Sequence, residues 1–150
     1  MARRRVARKP AAAEFVLDGS ITLAWAFDDE NDAYAEAVAD SLRRARAIVP
    51  GLWPLEVANA LLVGERRGRV TEAKIAHFLT LLQSLPIKLD DETALRAWQE
   101  TLHLARIHKL SVYDATYLEL AVRLGQPLAS LDEPLKEAAA AVGVPEFTPH

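Results

Sequence analysis

The chain has 150 residues, of which 51% are hydrophobic and 26% are charged, with 18 Lys and Arg against 21 Asp and Glu and no cysteine. This length suits one domain with a sizeable core. The lack of cysteine excludes disulfides, thiolate zinc sites and thiol nucleophiles, and it favours a cytoplasmic location. No apolar run approaches the ~20 residues that span a bilayer, and the start of the chain lacks the apolar core of a secretory signal, so we expect no membrane segment.

Charge is unevenly distributed along the chain. The first ten residues contain no acid and five basic side chains, namely Arg3, Arg4, Arg5, Arg8 and Lys9. We interpret residues 1–13 as a flexible basic arm. The remainder is acidic, and an acidic body is a poor clamp for nucleic acid unless cations offset its carboxylates.

From residue 14 onward, short apolar runs alternate with helical periodicity, as expected when strands are joined by helical crossovers. The predicted elements in chain order are a strand at 15–17, helices at 21–27 and 32–46, a strand at 47–49, a helix from Pro54 to the Gly64–Gly68 region, a helix at 71–85, a strand at 87–89, helices at 92–108 and 111–124, a strand at 128–131, a helix at 135–142 and a candidate edge strand at 146–148. Residues 14–150 are therefore predicted to form one three-layer α/β/α domain around a mainly parallel sheet of four to five strands.

Four carboxylates stand where the predicted strands and helices meet. Asp18 and Asp132 directly follow the first and fourth strands, and Glu56 and Asp114 lie in the first turns of helices. Ligands bind beyond the carboxyl ends of the strands in open parallel sheets, so these four side chains are predicted to converge at one edge. Like charges in a crevice repel one another unless a cation binds them, and oxygen ligands without Cys or His favour Mg²⁺ or Mn²⁺.

Each of these carboxylates also has a purely structural interpretation. Asp18 and Asp132 fit helix N-caps, and Ser111 with Asp114 matches a capping box in which Asp replaces Glu. Glu56 suits the positive end of a helix dipole. The structural roles stay open for any single residue, but the presence of four such acids weakens them.

Other motifs that carry chemistry are absent from the sequence. There is no G-x-S-x-G nucleophile elbow and no P-loop, and the four histidines have no partner at ligand spacing. A phosphatase of the haloacid-dehalogenase pattern, with Asp18 as covalent nucleophile, needs a second Asp where Ser20 stands. A metal-dependent phosphatase and a non-catalytic interaction module remain as alternatives to a nuclease.

Four segments together resemble the PIN-domain family, and most closely its VapC-type toxins of toxin–antitoxin pairs. The segments are residues 16–20, 50–61, 111–121 and 128–132, in that order. The Tyr-Asp-Ala-Thr-Tyr block at 113–117 is quite specific, and the resemblance covers nearly all of the chain from Phe15 onward.

The resemblance implies an Mg²⁺- or Mn²⁺-dependent endoribonuclease that forms a homodimer and is held inactive by a VapB-like antitoxin. The implied acidic cluster is Asp18, Glu56, Asp114 and Asp132, supported by Ser20, Asn59 and Ser130. Two positions depart from the pattern: Gly19 stands where Ala or another small residue is usual, and Glu133 stands where a basic residue is common. The second departure predicts a more acidic site with a weaker grip on its substrate.

Our mechanistic hypothesis divides the four acids by role. Asp18 and either Asp114 or Asp132 ligate the metal directly, while Glu56 holds metal-bound waters or serves as the base. A bound cation inverts the negative field that otherwise repels a phosphodiester.

Two further features bear on partners. The apolar stripe at 71–85 is wider than one core face needs, so part of it is predicted to form a dimer interface or an antitoxin groove. Trp25, Phe27 and Trp53 lie near the predicted site, and either packing against an antitoxin segment or a place in the core accounts for them.

Overall fold

The computed structural model describes residues 13–150, so the predicted basic arm lies outside the described residues except for Ala13. A four-stranded, fully parallel sheet forms the centre, in the spatial order β3, β2, β1, β4. The strands are β1 (Ala13–Leu17), β2 (Ala45–Val49), β3 (Ile87–Leu89) and β4 (Leu128–Ala129). The predicted three-layer α/β/α class and strand count are thus confirmed.

Helices connect the strands and pack around the sheet. They are α1 (Gly19–Ala26), α2 (Ala33–Ser41), α3 (Trp53–Arg66), α4 (Glu72–Gln83), α5 (Thr93–Arg96), α6 (Leu102–His108), α7 (Val112–Leu124) and α8 (Glu133–Ala141), with a π-helical turn at Ala97–Thr101 between α5 and α6. None of the helices within residues 13–150 combines the length and apolarity needed to cross a bilayer.

The central strand β1 sets the position of the site. Phe15, Val16 and Leu17 are fully buried, as expected for a strand covered on both faces. Val16 pairs with Ile48 of β2 on one side and with Leu128 of β4 on the other. The chain therefore leaves β1 at Asp18, in the middle of the carboxyl edge of the sheet.

Most element boundaries differ from the sequence prediction by a few residues, and the predicted strand at 128–131 spans only Leu128–Ala129, but two helices differ more. The helix expected at 32–46 ends at Ser41, because β2 already starts at Ala45, where the exposed Arg46 side chain pairs with Glu14 of β1 at 2.7 Å. The helix expected at 92–108 is interrupted by the π-helical turn. At β2, pairing with β1 overrides a local helical pattern.

The carboxy-terminal segment closes the β4 edge of the sheet. Instead of a full edge strand at 146–148, Glu146 makes one parallel bridge to Leu128, and the Phe147 amide donates to the Leu128 carbonyl at 2.9 Å. The Phe147 ring stacks on Phe15 with centroids 3.9 Å apart. This packing covers an edge that otherwise exposes unpaired backbone groups.

An ion-pair cluster ties the end of α7 to the segment after β3. The Arg123 guanidinium donates to Asp90 and Glu119 at 2.8 Å each and to Glu92 at 3.1 Å. Burial alone raises the pKa of Asp90, but the hydrogen bonds and charge of Arg123 outweigh it and leave the pKa below its ordinary value. The cluster therefore stabilises the fold most when Asp90 is ionised.

We predict that Arg123→Met destabilises the protein by about 2–4 kcal/mol, because it leaves two nearly buried carboxylates without a counter-charge. Urea unfolding at neutral pH measures this loss. The matched control is Arg46→Met, which breaks an exposed ion pair and should cost less than about 1 kcal/mol. Equal losses in the two variants would contradict a special role for the Arg123 cluster.

The same comparison has a defined pH dependence. A carboxyl with a lowered pKa in the folded state contributes stability above its ordinary pKa of 3.8, and this contribution is lost as the pH falls through the lowered value. The difference in unfolding free energy between wild type and Arg123→Met should therefore shrink below about pH 4. A difference that stays constant from pH 7 to pH 3 would show that packing, and not charge, is responsible.

Candidate active site at the carboxyl edge of the sheet

Asp18 occupies the N-cap position of α1 but does not cap that helix. Its side chain makes no hydrogen bond to the α1 backbone. Instead, one carboxylate oxygen, Oδ2, accepts from the Ser20 hydroxyl at 2.6 Å and from the Ser130 hydroxyl at 2.7 Å. Asp18 is 5% exposed, so two hydroxyl donors partly replace the water that this charge has lost.

The two serines also join the β1 and β4 ends of the site. Ser20 Oγ accepts from the Leu131 amide at 2.9 Å, and Ser130 Oγ accepts from the Asp132 amide at 3.0 Å. Each hydroxyl thus links Asp18 to the backbone after β4. The supporting positions predicted for Ser20 and Ser130 are those that hold the Asp18 carboxylate in place.

Asp114 and Asp132 enter the site from the first turns of two other helices. Asp132 caps α8, since its Oδ1 accepts from the Leu135 amide at 3.1 Å, which leaves Oδ2 without a capping role. The Asp114 amide donates to Ser111 Oγ at 3.0 Å, so Ser111 caps α7 as the sequence predicted. The Ser111 side chain also interacts with the Asp114 carboxyl and lowers its pKa in part, although burial and Asp132 outweigh this effect.

Glu56 is held by a residue that the sequence reasoning did not assign. The hydroxyl of Tyr117, a fully buried side chain, donates to Glu56 Oε1 at 2.7 Å. A Cβ at Gly19 would lie 3.6 Å from the Tyr117 hydroxyl and 3.8 Å from Glu56 Oε2, so a small residue is all that fits beside this pair. The available signal was the Tyr-Asp-Ala-Thr-Tyr block, which places Tyr117 three residues after Asp114 on one side of a helix.

Burial and the charges of neighbouring acids raise the pKa of three of the carboxyl groups. Burial, and secondarily the charges of Asp114 and Asp132, raise the pKa of Asp18 despite its two hydroxyl donors. Burial, and then the charges of Asp18 and Asp114, raise the pKa of Glu56 although Tyr117 donates to it. Burial and the charge of Asp132 raise the pKa of Asp114. The carboxylates are thus close enough to repel, and none forms a salt bridge within residues 13–150.

The chemistry of this donor set fits a hard divalent cation. It contains carboxylate and hydroxyl oxygens, the ligands that Mg²⁺ and Mn²⁺ prefer, and a cation would relieve the mutual repulsion. No three of the four carboxylates bring their oxygens within 4.8 Å of one another, so the site is wider than a closed protein cage. Such spacing suits an ion that keeps several of its waters.

A second acidic group in the described chain is tighter but chemically different. Ligand oxygens of Asp90, Asp91 and Glu92 lie within 4.8 Å of one another. Arg123 donates to two of these three residues, so a cation is already present in the form of its guanidinium. This trio therefore belongs to the Arg123 ion-pair cluster, whereas no basic side chain of the described chain pairs with the four-carboxylate site.

The remaining predicted residues lie around the site. Asn59 is exposed and lines a groove with Ser20 and Leu131, and within residues 13–150 its side chain makes no hydrogen bond. Trp53 and Phe27 are buried core residues, with the Trp53 indole donating to Thr22 at 3.0 Å. The core interpretation of these two aromatic residues is therefore correct.

Comparisons with known proteins agree with this architecture. The model of the family described as PIN domain matches residues 15–141. Ribonuclease VapC3 of Pyrobaculum aerophilum is 29% identical over 132 residues, which cover 88% of this chain and 99% of that protein.

Two solved structures share the fold. The crystal structure of PAE2754 from Pyrobaculum aerophilum superposes with a TM-score of 0.64 at 26% identity, covering 85% of this chain and 86% of that one. VapC20 of Mycobacterium tuberculosis, described as a Sarcin-Ricin loop cleaving toxin, superposes with a TM-score of 0.58 at 18% identity, covering 90% and 99%. The motifs, the parallel sheet and the family match lead to one conclusion: the chain belongs to the PIN-domain family.

Proposed function

We propose that this protein is a divalent-metal-dependent endoribonuclease and the toxin of a toxin–antitoxin pair, with residues 14–150 as its nuclease domain. Support comes from its membership of the PIN-domain family and from its likeness to Ribonuclease VapC3 over nearly the whole of both chains. The cysteine-free sequence suits a reducing compartment, so we place the activity in the cytoplasm.

One observation carries the proposal. Asp18, Glu56, Asp114 and Asp132 come from four distant segments and meet at one edge of the sheet, where no basic side chain of residues 13–150 pairs with them. Burial, and then the charges of neighbouring acids, raise the pKa of Asp18, Glu56 and Asp114. Folding gives up stability to gather them, and helix capping does not explain the arrangement, because Asp18 caps nothing and Glu56 is bound by a buried tyrosine. A site that binds a cation explains why the fold retains this loss of stability.

The chain's own residues divide the work as follows. Asp18, fixed by Ser20 and Ser130, and one or both of Asp114 and Asp132 hold the ion, with Mg²⁺ preferred over Mn²⁺ as the more abundant hard cation. A bound divalent cation neutralises the phosphate and stabilises the charge that develops during phosphodiester hydrolysis.

Glu56 is the candidate base. Its pKa is raised, which makes it a better proton acceptor for an attacking water, and the Tyr117 hydroxyl fixes the orientation of its carboxylate. Asn59 lies at the rim of the site, where it is available to contact the substrate.

Two partner surfaces accompany the nuclease. Along α4, Leu82 is the buried residue, while Ile75, Phe78 and Leu79 are partly exposed and Leu81 is 52% exposed. Ile75, Phe78 and Leu79 pack partly against the core, and the part of this face that stays exposed supports a homodimer interface. The groove lined by Ser20, Asn59 and Leu131 reaches the site, and we assign it to a VapB-like antitoxin.

We predict that Asp18→Asn lowers the rate of RNA cleavage at least about 100-fold, because it removes a ligand charge at nearly constant shape. Cleavage of total RNA by purified protein in Mg²⁺, read on a gel, measures the effect, and a chelator should abolish wild-type cleavage. The matched control is Asp40→Asn, which alters an exposed aspartate on α2 and should keep full activity.

The same assay tests the alternatives. A phosphatase would release phosphate from p-nitrophenyl phosphate and leave RNA intact, and an interaction module would do neither. Undiminished RNA cleavage by Asp18→Asn would refute the assigned site.

We also predict that Asp18→Asn raises the thermal midpoint of the metal-free protein by about 2–4 °C, because it removes a buried charge that repels its neighbours. The carboxamide oxygen can still accept from both serine hydroxyls. Added Mg²⁺ should raise the midpoint of wild type by about 3 °C at ten times its dissociation constant and leave Asp18→Asn nearly unchanged. Equal responses to Mg²⁺ would place the ion elsewhere.

The mass of the protein in solution tests the homodimer. Light scattering of the purified protein should give twice the chain mass of 16.5 kDa, and Leu81→Lys should shift the population toward monomer because it puts a charge into the apolar face. The control is Leu55→Lys, at an exposed leucine on α3 rather than α4. A mass of one chain at all concentrations would contradict the dimer.

A further inference from the structure

Lys109 holds a backbone conformation that disfavours a side chain. Its φ of 54° and ψ of 41° are left-handed, and within residues 13–150 every other residue with positive φ is a glycine. Lys109 ends α6, with its amide and that of Leu110 both donating to the Ala105 carbonyl. Glycine is the usual residue at such a helix end, since it avoids the clash of a Cβ with the neighbouring carbonyl. Stability alone therefore does not account for a lysine here.

The charge of Lys109 is free in the described part of the chain. Its side chain is exposed and joins no ion pair among residues 13–150. Arg106, one turn earlier and also exposed, is likewise unpaired. Attraction to the negative end of α6 explains a basic residue in the last turn, and Arg106 and His108 already meet that need.

Lys109 lies close in the chain to the helix that carries Asp114. It precedes by two residues Ser111, the N-cap of α7, whose first turn carries Asp114 of the acidic site. The charge of Lys109 is not among the causes that shift the pKa of Asp114, so it does not neutralise the acids themselves. Lys109 lies five residues before Asp114 in the chain, next to the end of α7 that carries this acid. An anionic polymer that approaches a cluster of carboxylates needs a cationic contact on its path.

We propose that Lys109, assisted by Arg106, binds a backbone phosphate of single-stranded RNA next to the position that is cut. The proposal rests on the proposed nuclease function and adds to it a residue that holds the substrate. The left-handed backbone of Lys109 lowers the stability of the fold. Replacing Lys109 with glycine should therefore weaken RNA binding and stabilise the protein, whereas a residue with a structural role would destabilise the protein when replaced.

The test compares RNA affinity and thermal stability in full-length variants. Anisotropy of a fluorescein-labelled oligouridine is measured across a salt series with Ca²⁺ in place of Mg²⁺, because Ca²⁺ supplies the counter-charge at the acids but supports phosphodiester hydrolysis poorly, so the signal reports binding without cleavage. We expect Lys109→Gln and Lys109→Gly each to weaken binding about 5-fold near 0.1 M salt and to lower the salt slope by about 0.7, the value for one phosphate contact on a single strand. Lys109→Gly should at the same time raise the thermal midpoint by about 2–4 °C.

Lys88→Gln on β3 is the matched control, since it removes an exposed and unpaired lysine far along the sheet from β4. It should leave the affinity and the salt slope unchanged. Wild-type affinity in Lys109→Gly, an equal loss in Lys88→Gln, or a lower midpoint in Lys109→Gly would each overturn the proposal.

Failure of the nuclease function gives a different result. If the wild type binds the oligouridine but cuts no RNA in Mg²⁺, the proposed activity is wrong, and the comparison of variants still decides the role of Lys109. If the wild type binds no RNA, both proposals fall.

Discussion

The burial of one negative charge at the end of the central strand constrains the whole edge of this molecule. Asp18 follows a strand that is buried on both faces, so its carboxylate has little water around it. Two serine hydroxyls bind it, and each of them also accepts a backbone amide from the segment after β4. The need to solvate Asp18 from within therefore fixes how the ends of β1 and β4 approach each other, and with them Asp132.

The molecule contains two kinds of acidic cluster, and the difference between them is informative. Around Arg123, the carboxylates of Asp90, Glu92 and Glu119 accept hydrogen bonds from the guanidinium, and the pKa of Asp90 is lowered. Around Asp18, the partners are hydroxyls and further acids, and burial raises the pKa of Asp18, Glu56 and Asp114. The first arrangement is complete in itself and stabilises the fold. The second has no positive side chain among residues 13–150, which is the property expected of a site that binds a cation.

The sequence predicted well those features that depend on residues close together in the chain, namely strand ends and helix caps. Asp18 and Asp132 follow short apolar runs directly, and the capping roles of Ser111 and Asp132 depend on residues three positions away. Topology then brought the four acids together, because parallel strands present their carboxyl ends at one edge.

Contacts between distant segments were beyond the same reasoning. The Tyr117–Glu56 bond spans 61 residues, and Arg123 reaches Asp90 across 33, so no periodicity relates the partners. The left-handed Lys109 and the early start of β2 at Ala45 likewise result from packing that a helical pattern does not encode.

Helix α7 carries both a destabilising end and a stabilising end. Its first half carries Asp114 and Tyr117, and the residue that precedes its cap by two positions is the strained Lys109. Its second half carries Glu119 and Arg123, where a nearly buried ion-pair cluster anchors the helix to the segment after β3. Repulsion and backbone strain at one end of a rigid helix are tolerable when the other end is firmly held. On this view the Arg123 cluster supports the acidic site without touching it, by keeping α7 in the one position that presents Asp114 to Asp18.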